Sequence, residues 1–116
     1  MRRFFHSVKC AWRGLTVAVR RERHMRFHLF AAVCVIIGAF VFRVSAVSWA
    51  LLALACALVI VAELVNTAFE RLCDRVTGED DAFIRDCKDI AAGGVLTAAI
   101  AAVVILICVI IGELSI

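Results

Sequence analysis

The sequence has no proline and no tyrosine, and only 20% of its 116 residues are charged. Three stretches contain no Asp, Glu, Lys or Arg: residues 27–42, 44–62 and 90–112. About half of the residues are apolar in an ordinary soluble domain, whereas 65% are apolar here. A soluble fold of this length has too little interior to bury so much apolar surface. The composition therefore excludes an ordinary soluble domain and favours a membrane protein.

Motifs of soluble enzymes are also absent. The six cysteines are scattered through apolar segments without a CxxC pair, which favours apolar packing over a disulfide or metal site. His6, His24 and His28 have no spacing typical of a metal site and are interpreted as interfacial polar groups. There is no GxxxxGK[ST] loop and no Gly-rich kinase loop with HRD and DFG partners, so no common soluble nucleotide-binding fold is predicted. Repeats and flexible linkers are lacking, which indicates one domain over residues 1–116.

The charge-free runs are long enough to cross a membrane. A transmembrane helix needs about 20 apolar residues, or somewhat fewer when flanking side chains snorkel. The sequence therefore predicts an all-α membrane protein with three transmembrane helices, at 27–43, 46–73 and 86–112. The second helix extends beyond the membrane on the cytoplasmic side, and the turn residues ThrGlyGluAspAsp at 77–81 should break it after Asp74.

Residues 1–24 are predicted to form a helix on the membrane surface. Phe4, Val8 and Trp12 recur at helical spacing, while most basic side chains fall elsewhere around the helix. A basic amphipathic helix with aromatic anchors lies in the interface plane and is attracted to anionic lipid. Because the basic residues lie on this membrane-edge helix, no nucleic-acid partner is expected.

The basic residues also predict an orientation. Residues 1–26 carry eight Lys or Arg and 70–89 carries four, whereas the connection between the first two spans has only Arg43. The positive-inside rule places both basic segments on the cytoplasmic side. We therefore expect the charged residues to face the compartment that supplies ATP and Mg²⁺.

Polar side chains line one face at the end of the second span. Glu63, Asn66, Glu70 and Asp74 follow the spacing i, i+3, i+7 and i+11, which keeps them within a stripe about 80° wide. An ionisable residue inside a span costs free energy and needs a reason. The groups either satisfy one another across a helix bundle or form a metal and proton-transfer site. A non-enzymatic transporter or channel subunit, with the stripe as a proton or cation path, is a third possibility.

As an enzyme site, the stripe needs acids from a second helix. Glu22 is the lone acid of the N-terminal segment and is expected to share Mg²⁺ with Glu70, because Mg²⁺ prefers carboxylate oxygens and keeps water and phosphate ligands. Glu63 lies about two turns deeper than Glu70 and suits a general base that acts on a hydroxyl at the interface. Lys88 and Asp89 begin the third span at the same level, where a lysine can offset phosphate charge.

The polar stripe belongs to a longer pattern. GluLeuValAsnThrAlaPheGlu at 63–70, followed by Asp74, resembles the ELxNTAxExxxD signature of the prokaryotic diacylglycerol kinase family. LysAspIleAlaAlaGlyGlyValLeu at 88–96 resembles the second signature of that family, KDxAAGAVL. Residues 7–15 resemble its amphipathic opening, and Glu22 falls where the family has an N-terminal acid. The resemblance covers nearly the whole chain.

The resemblance implies a three-span lipid kinase of the bacterial cytoplasmic membrane that uses MgATP and works as a homotrimer. It implies that Glu63 is the general base, that Glu22 and Glu70 are magnesium ligands, and that Asn66 orients the site. The ATP-binding residues that it implies are Arg3, Trp12, Glu22, Glu70, Glu79, Asp80, Asp81, Lys88 and Asp89.

Two branches of this family differ in their lipid alcohol. GluArgHisMetArgPheHisLeu at 22–29 resembles the ExNxRIHL pattern of the undecaprenol branch, with His24 in place of Asn and Phe27 in place of Ile. We therefore expect phosphorylation of undecaprenol to undecaprenyl phosphate, with diacylglycerol as the alternative substrate. The sequence leaves open which subunit supplies Glu22 to each site.

Overall fold

A computed structural model describes residues 1–115, which form four α-helices joined by short connections. The helices are α1 (Arg2–Arg21), α2 (Arg23–Val41), α3 (Ala46–Val76) and α4 (Ala82–Leu114). Helices α2, α3 and α4 are each long and apolar enough to cross a membrane. The predicted all-α fold, with an N-terminal helix and three spanning helices, is confirmed. The 31 residues of α3 extend over about 46 Å at 1.5 Å per residue, so its last turns project beyond a hydrocarbon core about 30 Å thick.

Local side-chain chemistry sets the helix ends. The side chains of Ser45 and Asp81 cap the N-termini of α3 and α4, each accepting a hydrogen bond from the backbone N–H three residues later. Helix α3 ends at Val76 because Thr77 adopts an extended backbone with φ −153°. The helix thus continues two residues beyond the predicted break at Asp74, and the turn follows at Thr77.

Helices α1 and α2 meet at a corner formed by Glu22. The backbone of Glu22 is extended, with φ −111° and ψ 117°, and its N–H donates to the carbonyl of Ala18. The Nη1 atom of Arg26 donates to the carbonyl oxygens of Val19 and Arg20, both at 3.0 Å. These bonds satisfy carbonyls that the end of α1 leaves without helical partners. Glu22 is thus held where the exposed helix α1 turns into the first span.

The core of the bundle is small and lies toward the end remote from Glu63. It joins Ala39 of α2, Leu52 of α3 and Val109 of α4. Leu52 precedes Glu63 by 11 residues, which is about three helical turns. Many large apolar side chains of the spans face outward, where lipid or other subunits can cover them.

A polar contact closes the same end of the bundle. The Oε1 atom of Glu113 on α4 accepts hydrogen bonds from the Ser48 hydroxyl at 2.6 Å and from the Ser45 N–H at 2.9 Å. The residue that caps α3 is therefore also tied to the end of α4, which fixes the two longest helices against each other.

We expect Leu52→Ala to destabilise the fold by about 1–3 kcal/mol. The expected loss comes mainly from the cavity that the shorter side chain leaves in the core. The transfer free energy adds little, because in a membrane protein the alternative surroundings of a leucine are lipid and not water. Leu54→Ala is the matched control, since Leu54 lies on the same helix and is 62% exposed. The measurement is the unfolding midpoint in mixed detergent–SDS titrations followed by circular dichroism. Equal midpoints for the two variants would contradict the assigned core.

Candidate active site

The carboxylate of Glu63 is buried inside an apolar bundle. The residue is 3% exposed, and its Oε2 atom lies 3.5 Å from Nε2 of His28 on α2. Removing a carboxylate from water without a partner costs several kcal/mol, so this contact helps to make the position tolerable. Glu70 is half-buried. Glu63 is therefore the less solvated of the two acids, as the stripe predicts.

The next polar residues of α3 are buried but incompletely hydrogen-bonded. Asn66 Nδ2 donates to Glu70 Oε1 at 3.4 Å, whereas Asn66 Oδ1 and Thr67 Oγ1 have no partner within residues 1–115. Thr16 and Thr97, by contrast, donate to backbone carbonyls four residues earlier. Leaving a buried polar atom unpaired costs about 1–3 kcal/mol, and such atoms are few in folded proteins. The two atoms therefore indicate a site that another group completes.

The outer end of the stripe contacts the beginning of α4 through ion pairs. Asp74 Oδ1 lies 2.5 Å from Lys88 Nζ, and Asp80 Oδ1 lies 3.1 Å from Arg85 Nη2. Asp81 is occupied as the N-cap of α4. Asp80, Asp81 and Lys88, which are predicted to bind ATP, thus already have protein partners.

The remaining predicted site residues lie apart from these contacts. Arg3 and Trp12 are exposed on α1, Glu22 is half-buried at the corner, and Glu79 and Asp89 are exposed. Their side chains make no hydrogen bond or ion pair within the described 115 residues. In the same part of the chain, no three His, Cys, Asp or Glu side chains form a metal-holding group. A shared metal between Glu22 and Glu70 stays a prediction.

The side-chain oxygen atoms on α3 have the right chemistry to bind magnesium. The unpartnered Asn66 Oδ1 and the half-buried Glu70 carboxylate belong to side chains in direct contact. Both offer the hard oxygen atoms that Mg²⁺ prefers, and Mg²⁺ fills its remaining positions with water and substrate phosphate. A cage of many protein ligands is therefore not required, and the residues present fit the ion.

An open cleft of about 920 Å³, with both apolar and basic lining residues, separates α1 from the second half of α3. Gly14 and Arg21 of α1 line one side, and Thr67, Arg71 and Arg75 of α3 line the other. Guanidinium groups suit phosphate recognition because their donors are planar and always charged. In the sequence, Arg71 and Arg75 indicate only the membrane orientation, whereas the structure places them in one cleft with Arg21.

An apolar groove of about 230 Å³ lies between α2, α3 and α4. Small residues from all three helices line it, among them Ala32, Ala55 and Ala99. Its lining also includes His28, which contacts Glu63, and Val59, which precedes Glu63 by one helical turn. The groove therefore adjoins the buried carboxylate.

Comparison with known proteins identifies the family of the chain. The family model described as prokaryotic diacylglycerol kinase matches residues 9–110. The chain belongs to the prokaryotic diacylglycerol kinase family. Within it, the chain is 41% identical over 100 residues to the diacylglycerol kinase of Synechocystis, covering 85% of this chain and 57% of that protein. It is 34% identical over 105 residues to the undecaprenol kinase of Bacillus subtilis, covering 90% of this chain and 85% of that protein.

Membership of the prokaryotic diacylglycerol kinase family confirms the predicted class of lipid kinases, and it implies ATP as phosphate donor. The chain spans less than two thirds of the Synechocystis relative. The two relatives are named for different lipid alcohols, so the family does not decide between undecaprenol and diacylglycerol.

His28 and Thr67 belong to this site although the sequence pattern does not single them out. His28 requires a correction, because it is half-buried against Glu63 and is more than an interfacial polar group. A signal was present, since His28 is the one strongly polar side chain of the 27–42 run, where such a side chain needs a partner. The signal for Thr67 was weaker. Its place in the family signature does not show whether its hydroxyl bonds to the helix backbone or stays unpaired.

We expect Asp74→Asn and Lys88→Met to affect the KM for ATP non-additively. Both substitutions remove the same ion pair. The fold-change in the KM for ATP in the double variant should therefore be smaller, by a factor of about two or more, than the product of the two single fold-changes. A lipid kinase assay on the single and double variants measures this coupling. Asp86→Asn with Lys88→Met is the control, since Asp86 is exposed and makes no ion pair among the described residues. Multiplicative effects for Asp74 and Lys88 would contradict a functional pair.

Proposed function

We propose that the protein transfers the γ-phosphoryl group of ATP to the hydroxyl group of a membrane lipid alcohol, with Glu63 as general base. The observation that carries this proposal is the buried Glu63 on one face with Glu70 and the unpartnered Asn66 Oδ1. Groups that merely satisfied one another at a helix end would leave no buried acceptor unpaired. Membership of a lipid kinase family supports the same reaction.

In the proposed mechanism, Glu63 accepts the proton of the lipid hydroxyl as its oxygen attacks the γ-phosphorus, and ADP leaves. Glu63 is only 3% exposed, so a lipid hydroxyl can reach its carboxylate from the hydrocarbon without passing through water. The adjoining apolar groove suits the lipid tail. Positioning and charge stabilisation supply most of the catalysis in phosphoryl transfer, and a positioned base adds about 10²- to 10⁴-fold.

Glu22 and Glu70 are the proposed magnesium ligands, with Asn66 orienting the site. When bound, the ion offsets the charge that develops on the phosphate oxygens. On the chain itself, Arg71 and Arg75 line the cleft beside the stripe and are suited to phosphate contact. The other proposed ATP-binding residues are Arg3, Trp12, Glu79, Asp80, Asp81, Lys88 and Asp89.

The proposed lipid is undecaprenol. The ArgPheHisLeu segment at 26–29 and the likeness to the Bacillus subtilis undecaprenol kinase over 85% of that protein support this choice. Diacylglycerol is the alternative, supported by the likeness to the Synechocystis enzyme. An ion pathway has less support, because in the described residues the groove through the spans is lined almost entirely by apolar side chains.

We also propose a homotrimer in the bacterial cytoplasmic membrane, with the N-terminus and the site facing the cytoplasm. The basic segments on both sides of the site support this orientation. The outward-facing apolar side chains and the unpartnered atoms of Asn66 and Thr67 support contributions from neighbouring subunits.

The test is transfer of label from γ-³²P-ATP by the purified protein in mixed micelles. Undecaprenol and diacylglycerol are offered in parallel, with Mg²⁺ and after its removal by EDTA. We expect label in undecaprenol that is lost without Mg²⁺. Label mainly in diacylglycerol would keep the reaction and change the substrate. Label in neither lipid, with a folded protein, would contradict the kinase proposal and favour an ion pathway through Glu63.

Glu63→Gln and Glu70→Gln are expected to affect different kinetic constants. Glu63→Gln should lower kcat about 10²- to 10⁴-fold with little change in the KM for ATP, because the amide cannot accept the proton. Glu70→Gln should raise the half-saturating Mg²⁺ concentration about tenfold or more, because it weakens a metal ligand. Glu113→Gln is the matched control at the opposite end of the bundle. Near-normal kcat in Glu63→Gln would reject the base assignment, and an unchanged Mg²⁺ titration would reject Glu70 as a ligand.

A further inference from the structure

We propose that His28 is a positioning residue for Glu63. In this arrangement Nε2–H of His28 holds Oε2 of Glu63, which leaves Oε1 to take the proton of the lipid hydroxyl. The inference rests on the proposed function, in which Glu63 is the general base, and it assigns a role on α2 to a residue outside the polar stripe of α3.

The contact joins two helices in a poorly solvated place. His28 Nε2 and Glu63 Oε2 are 3.5 Å apart, and the two side chains are 16% and 5% exposed. Within residues 1–115, the His28 contact is the only ion pair of the Glu63 carboxylate, and no side chain forms a hydrogen bond with it. The neighbouring Asn66 is engaged with Glu70 instead. His28 is therefore the polar side chain best placed to orient the Glu63 carboxylate.

A carboxylate needs such a partner to act as a directed base. Its two oxygens are chemically equivalent, and the terminal torsion of a glutamate side chain is soft. A donor held on one oxygen fixes the plane of the group and leaves the other oxygen facing the substrate. The 3.5 Å separation is longer than an ordinary N–H···O bond of about 2.9 Å, and contacts of this kind shorten when substrate assembles the site.

The position of His28 in the fold agrees with this role. His28 lines the apolar groove between the three spans, so it stands where a lipid tail in that groove would end and its hydroxyl would meet Glu63. A hydrogen bond in these apolar surroundings is electrostatically stronger than one in water. The rest of the groove lining near His28, such as Phe27, Ala31 and Val59, has no donor that could replace it.

Two polar substitutions test the geometry. In His28→Gln the side-chain amide nitrogen reaches about as far as Nε2 of histidine, whereas in His28→Asn it stops near the position of Nδ1. We expect His28→Asn and His28→Leu to lower kcat about ten- to hundredfold, the effect of losing a hydrogen bond to a charged group. The KM for ATP should stay within about threefold. His28→Gln should recover most of the loss.

The controls separate positioning from folding. His24→Gln and His24→Leu make the same changes at an exposed histidine one turn earlier on α2 and should retain wild-type kcat. Circular dichroism and thermal midpoints identify folded variants. If His28→Leu does not fold, the comparison of His28→Gln with His28→Asn still tests the positioning role, because both variants keep a polar side chain and differ in its reach. In the Glu63→Gln background, His28→Leu should cause no further loss, since it acts through Glu63.

The outcomes for the inference and for the function are distinct. Wild-type kcat in His28→Leu would overturn the positioning role. So would a folded His28→Gln as slow as His28→Asn, or a loss confined to the KM for ATP. In each of these cases the wild-type enzyme transfers phosphate and Glu63→Gln still has a strongly reduced kcat. The proposed function fails instead when the wild-type protein labels no lipid alcohol or when Glu63→Gln keeps its activity.

Discussion

A carboxylate buried in an apolar bundle needs a polar partner to offset its lost hydration, and a general base must also stay open to its substrate. Glu63 meets these demands through its place at the end of the apolar part of α3 and its contact with His28 on α2. Burial without a partner would cost several kcal/mol, and complete pairing would leave no oxygen for chemistry. The packing of α2 against α3 at this level is therefore tied to the proposed reaction, and the neighbouring groove keeps hydrocarbon beside the acid.

The two ends of the bundle are built differently for this reason. At the end that holds the core, Leu52 and its neighbours pack together and Glu113 accepts hydrogen bonds from the start of α3. At the end that holds Glu63, buried oxygens of Asn66 and Thr67 remain unpaired within the described residues. A closed end holds the helices in register, while an open end leaves donors and acceptors for phosphate, metal or a neighbouring subunit. This division is consistent with a lipid kinase whose site is completed by its ligands.

Much of this arrangement was predictable because it depends on spacing along single helices. The 3.6-residue period places Glu63, Asn66 and Glu70 on one face before any packing is known, and the structure keeps Asn66 and Glu70 in contact. The charge-free runs predict the three spanning helices for the same reason. The polarity of His28 in an apolar run indicated that it needs a partner. Contacts between helices carry no such period, so neither the identity of that partner, Glu63, nor the convergence of Arg21 with Arg71 was predictable.

By itself, the sequence determined the class of protein: a three-span membrane fold with an acidic stripe and two family signatures, since hydropathy and helical period are local properties. The tertiary structure alone decided which polar atoms are satisfied. It paired Glu63 with His28 and Asp74 with Lys88, and it left Asn66 Oδ1 without a partner. These outcomes depend on the relative rotation and depth of packed helices, which the pattern along one helix does not specify.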